Sequence, residues 1–266
     1  MTCLSLLRPA LASTAVLACL ATSVVAQEFR IETDVYVGDE EKSVSHTVTL
    51  FEKSAVYEFV DEPEQVIVYR RGADENSGQF ILLDVGSQRR TDVDVERVEK
   101  LMAKLTGWAA DQKDSLLKFS ANPTFDESFD AETGSLVLAN PEWTYRTATV
   151  PAEDATVLAR FRDFTDRYAA LNSMMHNAPP PGPRLALNAA LAKHGVVPVE
   201  IRRTLDGDEK NVVCARHLFS WRLSREDRTR LDEAQASLAN FVKVDNKAFI
   251  AAQAAYAEEV IRGQSR

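Results

Sequence analysis

The segment EFRIETDVYVGDEEKSVSHTVTL, residues 28–50, decides the fold class of this chain. Apolar and polar side chains alternate with a period of two on either side of a turn at residues 38–41. This is the pattern of half-buried antiparallel strands. The alternation continues, across short acidic turns, to about residue 91, and it predicts a meander of five strands over residues 28–91.

Beyond residue 91 the sequence predicts helices and further strands. Helices are predicted where apolar residues recur every three or four positions, at residues 94–118, 154–175, 184–194 and 224–241, and in a last segment beginning at Asp245. Strands are predicted at residues 125–131, 135–139, 143–150, 197–205 and 212–223. Gly195 is expected to end one helix, and Ser224 with Asp227 forms a capping-box pattern that opens another.

These elements predict an α+β protein in which a curved antiparallel β-sheet, an incomplete barrel, packs against several long helices. We expect residues 27–223 to form a single half-barrel-like domain with helical insertions. Residues 224–266 are expected to form a C-terminal helical extension.

The first 26 residues resemble a secretory signal peptide. Arg8 is followed by an apolar and small-residue run from Pro9 to Val25, and Val24 and Ala26 suit cleavage before Gln27. The run of about 17 residues is short for a membrane anchor, which must cross a core of about 30 Å. A second alternative is a lipid anchor at Cys19. We therefore expect an exported protein, periplasmic or extracellular.

Composition limits the possible partners. Removing Arg8 from the 31 basic residues leaves 30 against 40 acidic ones, and no long Lys/Arg cluster is present, which argues against nucleic-acid binding. Cys214 is the only cysteine after residue 26, so the mature chain cannot form an internal disulfide.

Motifs for catalysis or metal binding are weak. Cys214 and His217 are three residues apart on a predicted strand and should lie on opposite faces, so a buried, inert thiol is expected. The four histidines lack metal-ligand spacing, and residues 206–211 match a calcium loop poorly. Asp126 and Asp130 are the carboxylates of a weaker hydrolase alternative. We expect no enzymatic activity and no cofactor.

The apolar interior suggests a ligand site. Five residues on inward-compatible positions are predicted to line a pocket for an apolar small molecule or acyl chain: Val68, Leu83, Val199, Phe219 and Trp221. The alternative is that these side chains belong to a packed core.

The strand segments VIVY (66–69), FILL (80–83), VPVEI (197–201) and FSW (219–221) follow an order that resembles the LolA-like group of periplasmic lipoprotein carriers. The resemblance implies an incomplete barrel with helices as a lid over an apolar cavity that accepts acyl chains. It carries no specific motif, and the long helices exceed those of the carriers. The expected function is non-catalytic binding of an apolar ligand. The alternative is an envelope structural or protein-interaction module with a filled core and an envelope protein as partner. For this role we expect an exposed apolar patch on the C-terminal helix near Phe249, Tyr256 and Val260.

Overall fold

The computed structural model describes residues 27–74, 77–208 and 212–253. The predicted signal peptide, with Cys19, lies outside these residues, as does the predicted helix beyond residue 253.

In the described residues, one open sheet holds twelve strands in the order β12-β6-β5-β4-β3-β2-β1-β11-β10-β9-β8-β7. The strands are β1 (Phe29–Val37), β2 (Ser45–Phe51), β3 (Val56–Val60), β4 (Gln65–Arg71), β5 (Gly78–Asp84), β6 (Arg89–Asp94), β7 (Asp126–Asp130), β8 (Ser135–Ala139), β9 (Trp143–Pro151), β10 (Val196–Leu205), β11 (Val212–Ser220) and β12 (Val242–Lys243). All neighbours are antiparallel except β12 and β6, which are parallel. The pairing of β1 with β11 joins two meanders into one sheet.

The helices are α1 (Val95–Ala110), α2 (Ser115–Ala121), α3 (Ala155–Met175), α4 (Gly182–His194) and α5 (Arg225–Asn240). Residues 246–253 are also helical. The predicted α+β class is therefore confirmed. The N-terminal meander has six strands rather than five, because residues 89–94 pair with β5 before α1 begins.

The helix predicted over residues 94–118 is in fact two helices. Asp114 accepts a hydrogen bond from the backbone N–H of Leu117 at 2.9 Å and caps α2. Asp114 has non-helical backbone angles, so it cannot lie inside a continuous helix even where the apolar spacing continues.

Three other predicted helix ends are confirmed. Gly195 follows α4 with φ +71°, a left-handed conformation that glycine adopts without steric cost. At α5, the Asp227 N–H donates to Ser224 Oγ at 3.0 Å and the Ser224 N–H donates to Asp227 Oδ2 at 2.8 Å. Asp245 accepts from the Ala248 N–H at 2.9 Å.

Helices cover both faces of the sheet. On the side that we call the α3 face, α1, α3 and the buried Phe249 pack against residues such as Phe29 and Phe80, while α4 covers Leu136 and Leu138. On the other side, the α5 face, Leu231 and Leu238 of α5 cover strands β2 to β5. Of the residues predicted as a C-terminal extension, those of α5 and Phe249 thus pack on the same sheet.

Candidate functional site

The five residues predicted to line one apolar pocket do not come together. Val68 and Leu83 are buried on the α5 face, whereas Phe219 and Trp221 pack against the cluster on the α3 face. Val199 is half-buried at a bulge in β10, where the register shifts between Pro198 and Glu200. A sheet separates the first pair from the second, so the predicted set cannot surround one ligand.

Aromatic rings fill much of the space between the sheet and α3. The rings of Phe29 and Phe51 stack with centroids 4.0 Å apart, and Phe164 of α3 meets Phe51 edge-on at 5.6 Å. Phe219 lies 5.4 Å from Trp221 and 5.9 Å from Phe161. These contacts form a packed core, as the filled-core alternative expected for this part of the interior.

A groove of about 810 Å³ lies at the surface beside this core. Side chains from α1, the end of α3 and residues 246–251 line it: Asp94, Glu96, Arg97, Lys100, Leu101, Lys104, Met174, Asn246, Lys247, Ile250 and Ala251. Its volume is in the range of small-molecule sites, which are about 300–1,000 Å³.

Hydrogen bonds and a buried ring hold the C-terminal wall of the groove. The Thr91 hydroxyl donates to the Val244 carbonyl at 3.0 Å. With its amide oriented to satisfy both ends, Asn246 donates to the Asp92 carbonyl at 3.0 Å and accepts from Arg97 Nη1 at 2.9 Å. Phe249 is buried in the core below. The wall is thereby fixed to β6 and α1.

The groove combines an apolar surface with positive charge. Its four cations outnumber its two carboxylates, and Lys100 pairs with Glu96 at 2.6 Å. Lys104 has no ion pair with any residue that the structure describes. Leu101 and Trp108 follow on the same side of α1 and are 42% and 53% exposed. This surface suits a ligand with an apolar body and a negative head.

A second feature is a polar cluster buried on the α3 face. Glu58 of β3 is only 6% exposed, and burial raises its pKa to about 7 despite a hydrogen bond from Tyr168 and the nearby charge of Arg184. Burial and the Glu58 carboxylate together raise the pKa of Tyr168. Glu58 is therefore an acid whose charge depends on pH near neutrality.

Arg184 of α4 is the cation of this cluster. Its Nε donates to Asn188 Oδ1 at 3.0 Å, and Asn188 in turn donates to Asp166 Oδ1 at 2.7 Å. Burial lowers the pKa of Arg184, while Tyr145, Asp166 and Glu58 act in the opposite direction. Burial and then the Arg184 charge lower the pKa of His217 to about 3, so His217 is neutral.

The cysteine and histidine predictions hold in their geometry. On β11, Cys214 pairs with Tyr36 and His217 pairs with Thr33. The two residues are an odd number of positions apart on the strand, so their side chains lie on opposite faces, as predicted. Cys214 is buried, and burial raises the pKa of its thiol. The nearby charge of Glu200 raises this pKa further. Whether the thiol is inert stays a prediction.

The carboxylates of the hydrolase alternative have ordinary local roles. Asp130 accepts from the Thr133 hydroxyl at 2.8 Å and from the Glu132 N–H at 2.9 Å, and these bonds lower its pKa. Asp126 is exposed on the edge strand β7. In the part of the chain that the structure describes, no group of three or more His, Cys, Asp or Glu residues is placed to hold a metal ion. Part of the calcium-like segment, residues 209–211, lies outside that part.

Neither the groove nor the polar cluster was predicted from the sequence. Glu58 did leave a signal, because it is the only charge in the apolar strand VYEFV, on the same side as Val56. Arg184 directly follows the proline-rich segment, and no pattern in the sequence marked it as part of a site.

The comparisons with known proteins identify no family. No protein-family profile matches the chain, and no curated protein is significantly similar to it. The LolA-like resemblance therefore stays a prediction. Among the described helices, none has the length and apolar character needed to cross a bilayer.

Proposed function

We propose that this chain is an exported, non-catalytic binding protein that holds an apolar ligand with an anionic head in the groove between α1 and residues 246–251. The observation that carries the proposal is the groove itself, about 810 Å³ in volume, with Leu101, Met174 and Ile250 beside an excess of cations. Binding sites of this kind combine apolar walls with a few polar groups that orient the ligand.

The head and the body of the ligand have separate partners in this proposal. Lys104 and Lys247 attract the anionic head, and the methylene stems of both lysines extend the apolar wall. The apolar body lies against Leu101 and Met174. A long-chain carboxylate fits both requirements. The proposed binding site lies beside the sheet, whereas the pocket predicted from the sequence lay in the concavity of the sheet. The aromatic core occupies the space beneath α3.

The LolA-like relation belongs to the same proposal. In this part of the proposal, the twelve-stranded sheet curves into an incomplete barrel, and α1, α3 and α4 form a lid over it. Export, with the signal peptide removed before Gln27, would place the protein in the periplasm or outside the cell, where acyl chains need a carrier. The open antiparallel sheet supports this relation at the level of architecture only.

The first experiment is native mass spectrometry of residues 27–266, purified gently from the native host, followed by lipid extraction. One acyl-chain molecule per chain is the expected result. The delipidated protein is then titrated with palmitate and with hexadecanol, which has the same chain length without the charge. We expect one-to-one binding of palmitate and affinity for hexadecanol weaker by on the order of tenfold.

Charge-reversal variants locate the site. Lys104→Glu with Lys247→Glu should weaken palmitate binding by at least about tenfold, because the two charges that attract the head become repulsive. The matched control is Lys42→Glu with Lys113→Glu, two exposed lysines outside the groove with the same change in net charge. Equal affinity of the two double variants would refute the proposed site, as would the absence of palmitate binding.

The second candidate function is an envelope protein-interaction module. Leu101 and Trp108 favour it, because two large apolar side chains exposed on one side of a helix are typical of contact surfaces. Of the C-terminal patch predicted for this role, Phe249 is buried, and Tyr256 and Val260 lie outside the described residues. Self-association that Trp108→Ser abolishes in sedimentation measurements would support this function. A monomer at all concentrations would argue against it.

A further inference from the structure

Arg184 is a half-buried cation without a direct anionic partner among the described residues. The only hydrogen bond that the structure gives its side chain joins Nε to Asn188, and no carboxylate of the described residues lies at ion-pair distance from its guanidinium. The Asp166 carboxylate instead accepts from Asn188 and Arg162. Its two terminal nitrogens, with four N–H donors, therefore have no acceptor among these residues.

Further unpaired polar atoms lie on the same face of the sheet. His217 Nε2, Arg203 Nε and Thr147 Oγ1 are buried and have no hydrogen-bond partner in the described residues. Strand pairing puts Arg203 opposite Tyr145, and Thr147 is two positions further along β9, on the same face as Tyr145. Buried polar atoms normally have partners, so several orphans on one face indicate an occupant that can supply them.

The orphaned atoms call for an acceptor-rich occupant. The guanidinium nitrogens of Arg184 and Arg203 can only donate. The Thr33 hydroxyl lies 2.9 Å from His217 Nδ1, and if it donates there, the proton of the neutral imidazole is on Nε2. Glu58 competes little for Arg184 at acidic pH, because its pKa is raised to about 7 and the carboxyl is then mostly protonated.

We propose that the space between α4 and strands β9 to β11 binds a small oxyanion, with Arg184 as its main anchor and His217 as a second donor. Carboxylate and phosphate groups share the required chemistry, since each presents several oxygens to a guanidinium. This site is separate from the groove beside α1, and the proposal does not depend on the function proposed for that groove.

The test is titration of the wild-type protein with acetate and, separately, with phosphate at constant ionic strength, with chloride as reference. Isothermal calorimetry gives the affinity, and NMR of the imidazole of His217 gives the location. We expect saturable one-to-one binding of one anion and a saturable shift of the His217 signal. Preference for acetate or for phosphate assigns the ligand to the carboxylate or the phosphate class.

Variants separate this site from other anion contacts. Arg184→Lys keeps the charge but removes the planar fork, so we expect at least about tenfold weaker binding. Arg216→Lys is the control, because Arg216 is on the same strand as His217 but on the exposed opposite face. Equal weakening in both variants would overturn the proposal. If Arg184→Lys fails to fold, the wild-type His217 signal decides: a response no greater than that to chloride means that ordered water alone occupies the space.

Discussion

Replacing Glu58 by Gln should make the protein more stable above neutral pH. The native state holds the Glu58 proton more tightly than the unfolded chain does, because burial raises the pKa from 4.5 to about 7. Between these two pH values the native state binds more protons, so the free energy of unfolding falls as the pH rises. At about 1.4 kcal/mol per pKa unit, the full loss is about 3 kcal/mol.

Glutamine has nearly the same shape as glutamate and still offers an oxygen to Tyr168, but it cannot ionise. We therefore expect Glu58→Gln to be about 3 kcal/mol more stable than the wild type at pH 8 and nearly equal to it below pH 4.5. Urea unfolding, followed by circular dichroism at pH 4.5, 6, 7 and 8, measures this difference. The matched control, Glu132→Gln, removes an exposed turn carboxylate and should track the wild type. A Glu58→Gln advantage that is the same at every pH would refute the reasoning.

Three further predictions rest on other parts of the structure. His217 has its pKa lowered to about 3, so the native state resists protonation below pH 6.5. His217→Phe should therefore remove about 2 kcal/mol of the stability loss between pH 6.5 and 4.5 in the same urea assay, and an unchanged loss of stability on acidification would contradict this. Ser224→Ala removes one half of the capping box and should lower the free energy of unfolding by about 1 kcal/mol; no loss would mean that the Asp227 carboxylate alone caps α5. The buried thiol of Cys214, with its raised pKa, should react with a disulfide reagent only after unfolding in urea, and rapid labelling of the native protein would show that it is accessible.

The sequence predicted the elements well because their signals are local. The capping box of α5 and the left-handed Gly195 depend on a few adjacent residues, and both were found where predicted. The alternation in residues 29–37 also depends only on the chain itself. The break between α1 and α2 was missed, because the apolar spacing continues through it while Asp114, with non-helical backbone angles, starts a second helix.

The candidate sites could not be predicted in the same way. Val68 and Trp221 are both apolar residues with inward-compatible spacing, and only the pairing of strands puts them on opposite faces. Arg184 and Glu58 are 126 positions apart, yet in the folded chain the charge of Arg184 acts on the Glu58 carboxyl. The walls of the groove are likewise distant in sequence, since α1 forms one and residues 246–251 form the other.

The sequence by itself therefore determined the α+β class, the position of most helices and strands, and the opposite orientation of Cys214 and His217. These follow from periodicity and capping, which act over a few residues. The tertiary structure alone decided which face each strand presents to which helix, and hence where burial leaves Arg184 and Glu58 with altered pKa values. Burial is a property of the assembled layers, so a residue's charge state depends on partners that the local sequence does not specify.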